Sequence, residues 1–190
     1  MSTAVVTRRG LALQRAARRG RGFRVLLALV VLALGGAAVY AHEAVRSAEA
    51  AASTLVLERL FGYDMYAWRD QIIFKLGPDR FDALALRITA ECTSLVVLVP
   101  LLLFASGVLV ITRVGTGRWL LSVAIAVTMI FAVNVVRIAV IAYSLRELGQ
   151  DGYAWSHTVI GTAIIAVGTV AAVIAMLAIQ AGLRRRVRRG

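Results

Sequence analysis

The chain has 190 residues, 60% of them hydrophobic, with 22 Lys and Arg against 10 Asp and Glu and a formal net charge of +12. That apolar share, with a mean hydropathy of +0.80, excludes an ordinary water-soluble domain. The single cysteine excludes an intramolecular disulfide and a cysteine-rich metal site. The basic residues flank apolar runs without interleaved aromatics, so anionic membrane lipid rather than nucleic acid is their expected partner.

Residues 1–24 form a basic arm carrying Arg8, Arg9, Arg15, Arg18, Arg19, Arg21 and Arg24. A first apolar run follows over 25–41, close to the roughly 20 residues that cross a bilayer. In lipid such a run must be helical, because its backbone groups have only each other to bond. Arginines before it and small residues after it resemble a cleaved signal peptide, but the length of the apolar stretch favours a retained helix.

Segment 42–92 comes next. Residues 43–61 predict an amphipathic helix with Val56, Leu57, Leu60 and Phe61 on its apolar stripe. Phe61, Tyr63, Tyr66 and Trp68 form an aromatic group of the kind that settles at headgroup level. Gly77-Pro78-Asp79-Arg80 reads as a turn, and residues 84–89 alternate as a half-buried strand does, which predicts a short hairpin leading into Cys92.

Apolar runs over 93–111, 119–142 and 158–181 complete the set, joined by a basic turn from Arg113 to Arg118 and an outer loop over 143–157. The tail, 182–190, carries Arg184, Arg185, Arg186, Arg188 and Arg189. Every Asp and Glu lies between Glu43 and Asp151, in the segments that alternate with the basic ones. The positive-inside rule therefore places both termini in the cytoplasm and segments 42–92 and 143–157 outside. The expected fold is an all-α membrane protein of about four transmembrane helices, with 25–181 as one transmembrane domain in the plasma membrane.

Ionisable groups inside a membrane are costly and face a partner or a watery cavity. Here the few such residues gather toward the outer face. Cys92 is at the outer mouth of the second apolar run, Arg137 near the outer end of the third, and His157 at the outer start of the fourth. Near a helix N-terminus, Cys92 is placed to act as a thiolate, and His157, similarly placed, as a neutral base. Arg137 can stabilise a thiolate or an oxyanion. Asn134 shares its face and can orient it or bind substrate. A Cys–His pair with an added cation suits acyl transfer. Each residue also has a plainer reading: an inert packed thiol, an arginine that snorkels outward or pairs with Glu91, Glu147 or Asp151, and an interfacial histidine. His42 reads as a boundary residue.

The segments Ala90-Glu91-Cys92-Thr93-Ser94 and Asn134-Val135-Val136-Arg137-Ile138, with His157 after an outer loop, resemble the exosortase/archaeosortase family of membrane-embedded cysteine transpeptidases. The resemblance covers residues 84–175 and leaves the first helix and segment 42–91 unmatched. Thr93-Ser94 stands where the family commonly has Ser-Gly. The resemblance implies Cys92 as nucleophile, Arg137 as the catalytic or oxyanion-stabilising cation and His157 as general base, with Asn134 and Ser94 in support. It further implies protein substrates bearing a C-terminal motif, a transmembrane helix and a basic tail, cleaved at the outer face of the plasma membrane. No metal-ligand spacing, phosphate loop or cofactor signature is present. The competing reading is a non-catalytic membrane subunit of an envelope or polysaccharide-export assembly. A small transporter fits less well, since Pro100 is the only proline within the apolar runs.

Overall fold

A computed structural model describes residues 8–76, 83–112 and 114–182, with side chains from Gly20 onward. The Gly77-Pro78-Asp79-Arg80 turn, Arg113, the arginine side chains of the arm before Gly20 and those of the tail lie outside the described residues. The elements are α1 (Arg8–Tyr40), α2 (His42–Phe61), β1 (Met65–Trp68), β2 (Gln71–Lys75), β3 (Ala83–Arg87), α3 (Leu95–Ile111), α4 (Thr116–Trp155), a π-helical turn (Ser156–Ile160) and α5 (Gly161–Ala181).

Two helical stretches among the described residues are long and apolar enough to cross a bilayer, Gly20–Tyr40 and Thr116–Ala181. α3 is apolar too, but shorter at 17 residues. The second long stretch folds back on itself. Gly149 breaks it with φ 68° and ψ −152°, a backbone state that glycine adopts without a Cβ penalty. The two arms then run antiparallel: Arg118 donates to the carbonyl of Gln180 at 3.2 Å, Val133 faces Gly168, and Ile141 faces Gly161. Gly168 permits this closeness, since a Cβ there would sit 2.4 Å from Val133 Cγ1. α1 and α3 pair likewise, with Arg24 Nη1 donating to the carbonyl of Thr112 at 2.9 Å and Gly35 set against Leu102.

At that same end Trp119 is fully buried. Its indole N–H donates to the carbonyl of Ala105 at 2.8 Å, the kind of acceptor a buried indole requires. Gln180 Nε2 donates to Ser122 Oγ at 2.9 Å. Buried polar groups therefore occupy both ends of the bundle, not one end as the sequence suggested.

Between α1 and α3 the chain builds a separate layer. An antiparallel three-stranded sheet has the order β1-β2-β3. Trp68 pairs with Gln71, so the first hairpin turns on Arg69 (φ 53°) and Asp70. Ile72 pairs with Leu86 and Phe74 with Leu84, which puts these four side chains on one face. Ile72 and Phe74 are fully buried and pack in one cluster with Leu57 of α2 and Ile138, Ile141 and Leu145 of α4. Each such side chain contributes about 1.5–3 kcal/mol on burial. The fold is thus mostly helical rather than all-α, with one strand more than the predicted hairpin.

α2 forms where the sequence predicts a helix, but it buries a different face. Leu57 is buried and Val56 partly so, whereas Leu60 and Phe61 are exposed. The buried face carries Arg46, Glu49, Ala50, Ser53, Thr54 and Leu57. Phe61 instead stacks on Tyr143 of α4, with ring centroids 4.8 Å apart. The connection expected over 143–157 is helical on both sides of Gly149. α4 therefore rises past the apolar run and offers its upper turns to α2 and the sheet.

Candidate active site

Cys92 stands in the turn between β3 and α3, two residues ahead of Ser94, from which α3 starts. Its N–H donates to the carbonyl of Thr89 at 3.0 Å, and its side chain is buried. The π-helical turn brings His157 against it, with Nδ1 3.7 Å from Cys92 Sγ. In that turn the N–H of Gly161 reaches back to the carbonyl of Ser156, a widened geometry that recurs at functional sites. Tyr153 stacks on the imidazole with centroids 5.4 Å apart and planes at 15°. His157 is therefore inside a continuing helix, and the expected helix N-terminus beside it is absent.

Asn134 and Arg137, three residues apart on one face of α4, both reach the carbonyl of Cys92. Asn134 Nδ2 donates to it at 2.9 Å and Arg137 Nη1 at 3.5 Å. The cation thus grips the backbone of Cys92 rather than its sulfur. Arg137 is buried and does not snorkel. Among the described residues no carboxylate lies within 4 Å of it; Glu147, one of the acids proposed for it, instead accepts from Tyr63 at 2.6 Å. Arg137 Nε has no partner among the described residues. Gly161 makes room for it, since a Cβ there would come within 3.1 Å of Nε and 3.0 Å of the carbonyl of Ser156.

Ser94 enters the site through its backbone. Its N–H donates to Oε1 of Glu49 at 2.7 Å, while its hydroxyl is buried without a partner among the described residues. The positive end of α3 is therefore met by a carboxylate from α2, not by the cysteine sulfur. Sequence reasoning missed Glu49 because it sought apolar stripes. The signal available was a polar one: Arg46, Glu49, Ser53 and Thr54 recur at helical spacing. Tyr153 was missed as well. His42 begins α2 and is exposed.

A cleft of about 10 Å³, room for a single water, opens onto Cys92 and His157 between Leu86, Arg87, Ile88, Ile138, Ile141 and Tyr153. Its walls are mainly apolar, which keeps the sulfur in low dielectric. Arg87 is fixed by Asp70, whose carboxylate it meets at 3.1 Å, and Arg46 meets the same oxygen at 3.3 Å. Burial alone would raise the Asp70 carboxyl, but the hydrogen bond and charge of Arg87, a backbone hydrogen bond and the charge of Arg46 outweigh it and hold it below the usual range. Farther out, the hydrogen bond to Glu147, with burial and that residue's charge, pushes the Tyr63 phenol up to about 12. Among the described residues no cluster of His, Cys, Asp and Glu is fit to hold a metal ion.

No curated protein and no solved structure matches the chain. Residues 4–174 match a family model described as transmembrane exosortase. The match extends over the first helix and segment 42–91, which the motif resemblance had left uncovered, and it spans Cys92, Asn134, Arg137 and His157. Matched over most of its length, this chain belongs to the transmembrane exosortase family, a family of membrane proteins.

Proposed function

We propose that the protein is a membrane-embedded cysteine protease or transpeptidase that cleaves C-terminal sorting signals of secreted proteins at the outer face of the plasma membrane. The observation that carries this reading is the 3.7 Å approach of Cys92 Sγ to His157 Nδ1, on a turn whose carbonyl is held by Asn134 and Arg137. A base within reach of a thiol, with a cation close by, is the arrangement nucleophilic catalysis needs.

The chemistry follows from the atoms present. His157 Nδ1 takes the thiol proton, which requires the tautomer with hydrogen on Nε2. The sulfur attacks the scissile carbonyl carbon and a C–S bond forms. The oxyanion forms near the guanidinium of Arg137, whose Nε has no partner among the described residues. The C–N bond then breaks, the leaving amine takes the proton from His157, and a thioester remains. Water or an amine attacks that thioester and its proton passes to His157; the C–S bond breaks, the acyl product leaves, and the sulfur takes the proton back from His157.

Orientation rests on the placement of charge. Arg24 meets Thr112 and Arg118 meets Gln180 at the end of the bundle away from Cys92. Four spans with both termini in the cytoplasm put those arginines inside and the thiol outside. α3, though 17 residues, falls within the range for a span. Substrates carry a short motif, a transmembrane helix and a basic tail, and the motif approaches Cys92 at the mouth of the cleft, whose water-sized space widens to admit it.

The test is to follow a sorted protein by size in cells carrying Cys92→Ala, Cys92→Ser or Arg137→Lys. Processing stops in the cysteine variants. It falls in Arg137→Lys, because an ammonium lacks the planar fork. Trapping a thioester on Cys92 and sequencing the attached peptide identifies the motif. Normal processing without the Cys92 sulfur would falsify the assignment.

A further inference from the structure

Glu49 is fully buried, and the chemistry above makes no use of it. A carboxylate removed from water is costly unless something requires it there. Its Oε1 accepts the Ser94 N–H at 2.7 Å, and its Oε2 has no partner among the described residues. The pattern matches half of a capping box, in which a Glu three residues into a helix accepts the N–H of the capping residue. In α3 that position is Val97, and the carboxylate comes from α2 instead.

One turn earlier on the same buried face, Arg46 Nη1 donates to the carbonyl of Ile88 at 3.4 Å and bridges to Asp70 at 3.3 Å. Asp70 in turn offers its own backbone carbonyl to the Ile88 N–H at 2.8 Å. The segment 88–94 is thus gripped at both ends from α2, at Ile88 by Arg46 and at Ser94 by Glu49. Its middle is held from α4, at the carbonyl of Cys92. Without these side-chain grips, a short turn of irregular backbone would have only local bonds and the Ile88–Asp70 backbone bond to hold its sulfur toward His157.

We infer that Arg46 and Glu49 are positioning residues, and that α2 is a clamp whose polar face fixes the turn carrying Cys92. This rests on the proposed role of Cys92 and adds a task for segment 42–61. Neither side chain touches a reacting atom. They act through the backbone on either side of the thiol, and their loss shows in the reactivity of the sulfur.

Cys92 is the single cysteine of the chain, so its alkylation by iodoacetamide reports on it alone. The experiment uses full-length protein in lipid nanodiscs with Glu49→Gln, Glu49→Leu and Ser94→Pro. Glutamine keeps an acceptor oxygen. Proline removes the Ser94 N–H while suiting its φ of −58°. Glu49→Leu and Ser94→Pro each shift the alkylation rate by about tenfold and lower kcat on a processed substrate 10- to 100-fold, with KM within about twofold. Glu49→Gln stays within about threefold on both measures. Arg46→Met repeats the effect of Glu49→Leu. Native alkylation and processing in Glu49→Leu overturn the clamp, as does a Glu49→Gln variant as impaired as Glu49→Leu. Should Glu49→Leu fail to fold, native rates in Ser94→Pro overturn it equally. If the alkylation rates shift as expected while unmutated protein processes no substrate, the clamp stands and the assigned activity falls.

Discussion

Asn134 donates its side-chain amide to the backbone carbonyl of Cys92 at 2.9 Å, from a position with no solvent exposure. The contact joins α4 to the turn bearing the thiol, and it fixes the height of Cys92 against Arg137, one turn further along the same face. An amide is well suited to this, being a neutral donor whose burial costs less than a charge.

Replacing Asn134 by Leu leaves the Cys92 carbonyl with only the 3.5 Å contact to Arg137. Losing a buried partner costs about 1–3 kcal/mol. Asn134→Asp is expected to be worse than Asn134→Leu, because it sets a carboxylate oxygen against the carbonyl. Processing assays paired with thermal unfolding in detergent give the order, and an Asp variant as active as native contradicts it.

Gly161→Ala places a methyl 3.1 Å from Arg137 Nε and 3.0 Å from a backbone oxygen that cannot swing aside. Overpacking of this kind costs about 1–3 kcal/mol. The strain falls on the π-helical turn and on Arg137 together, so processing drops by more than stability alone accounts for. Comparing kcat with the unfolding midpoint separates the two.

Gly168→Ala acts lower in the same helix pair. Alanine gains about 1 kcal/mol in helix propensity, but its methyl would fall 2.4 Å from Val133 Cγ1 and 3.0 Å from its Cβ. The clash wins, and the variant is destabilised. Val133→Ala in the same chain removes the two Cγ contacts and recovers part of the stability, so a double-mutant cycle shows coupling. Additive effects would place the two residues apart.

Asp70 makes the outer layer sensitive to acid. Its carboxyl titrates below its unfolded value because Arg87 and Arg46 more than offset burial. A depressed carboxyl contributes stability that is fully present above the unfolded value, about 3.9, and is lost as pH falls through the folded one. Unfolding followed from pH 6 down to pH 2 is expected to lose stability only in the acid range. Asp70→Asn lacks that loss and is less stable at neutral pH. A native chain with equal stability at both ends of the range refutes the pair of bridges.

Much of the fold was legible because lipid leaves few options: runs of apolar residues become helices. The cysteine, histidine and arginine stood out because polar groups among apolar ones are rare. What escaped notice depended on pairing across the chain. Glu49 is one acid among several on a helix that reads as a surface element, and only the arrival of Ser94 against it reveals a buried role. β1 is a four-residue strand defined by its partner rather than by its own alternation. The π-helical turn leaves no mark in composition, since one extra residue per turn changes hydrogen bonding but not residue type.

Residues 116–148 make about 50 Å of helix at 1.5 Å per residue, against about 30 Å of hydrocarbon in a typical bilayer. Arg137 falls about 30 Å along that rod from Thr116, a length equal to the hydrocarbon thickness. Under the proposed function the rod works as a ruler, setting the elevation at which a tethered peptide meets the sulfur. A substrate helix measured by the same bilayer presents its scissile bond at a matching level. On that reading, acyl chains a few carbons longer or shorter offset the two, and the proposed cutting efficiency is expected to depend on the surrounding lipid as well as on the protein.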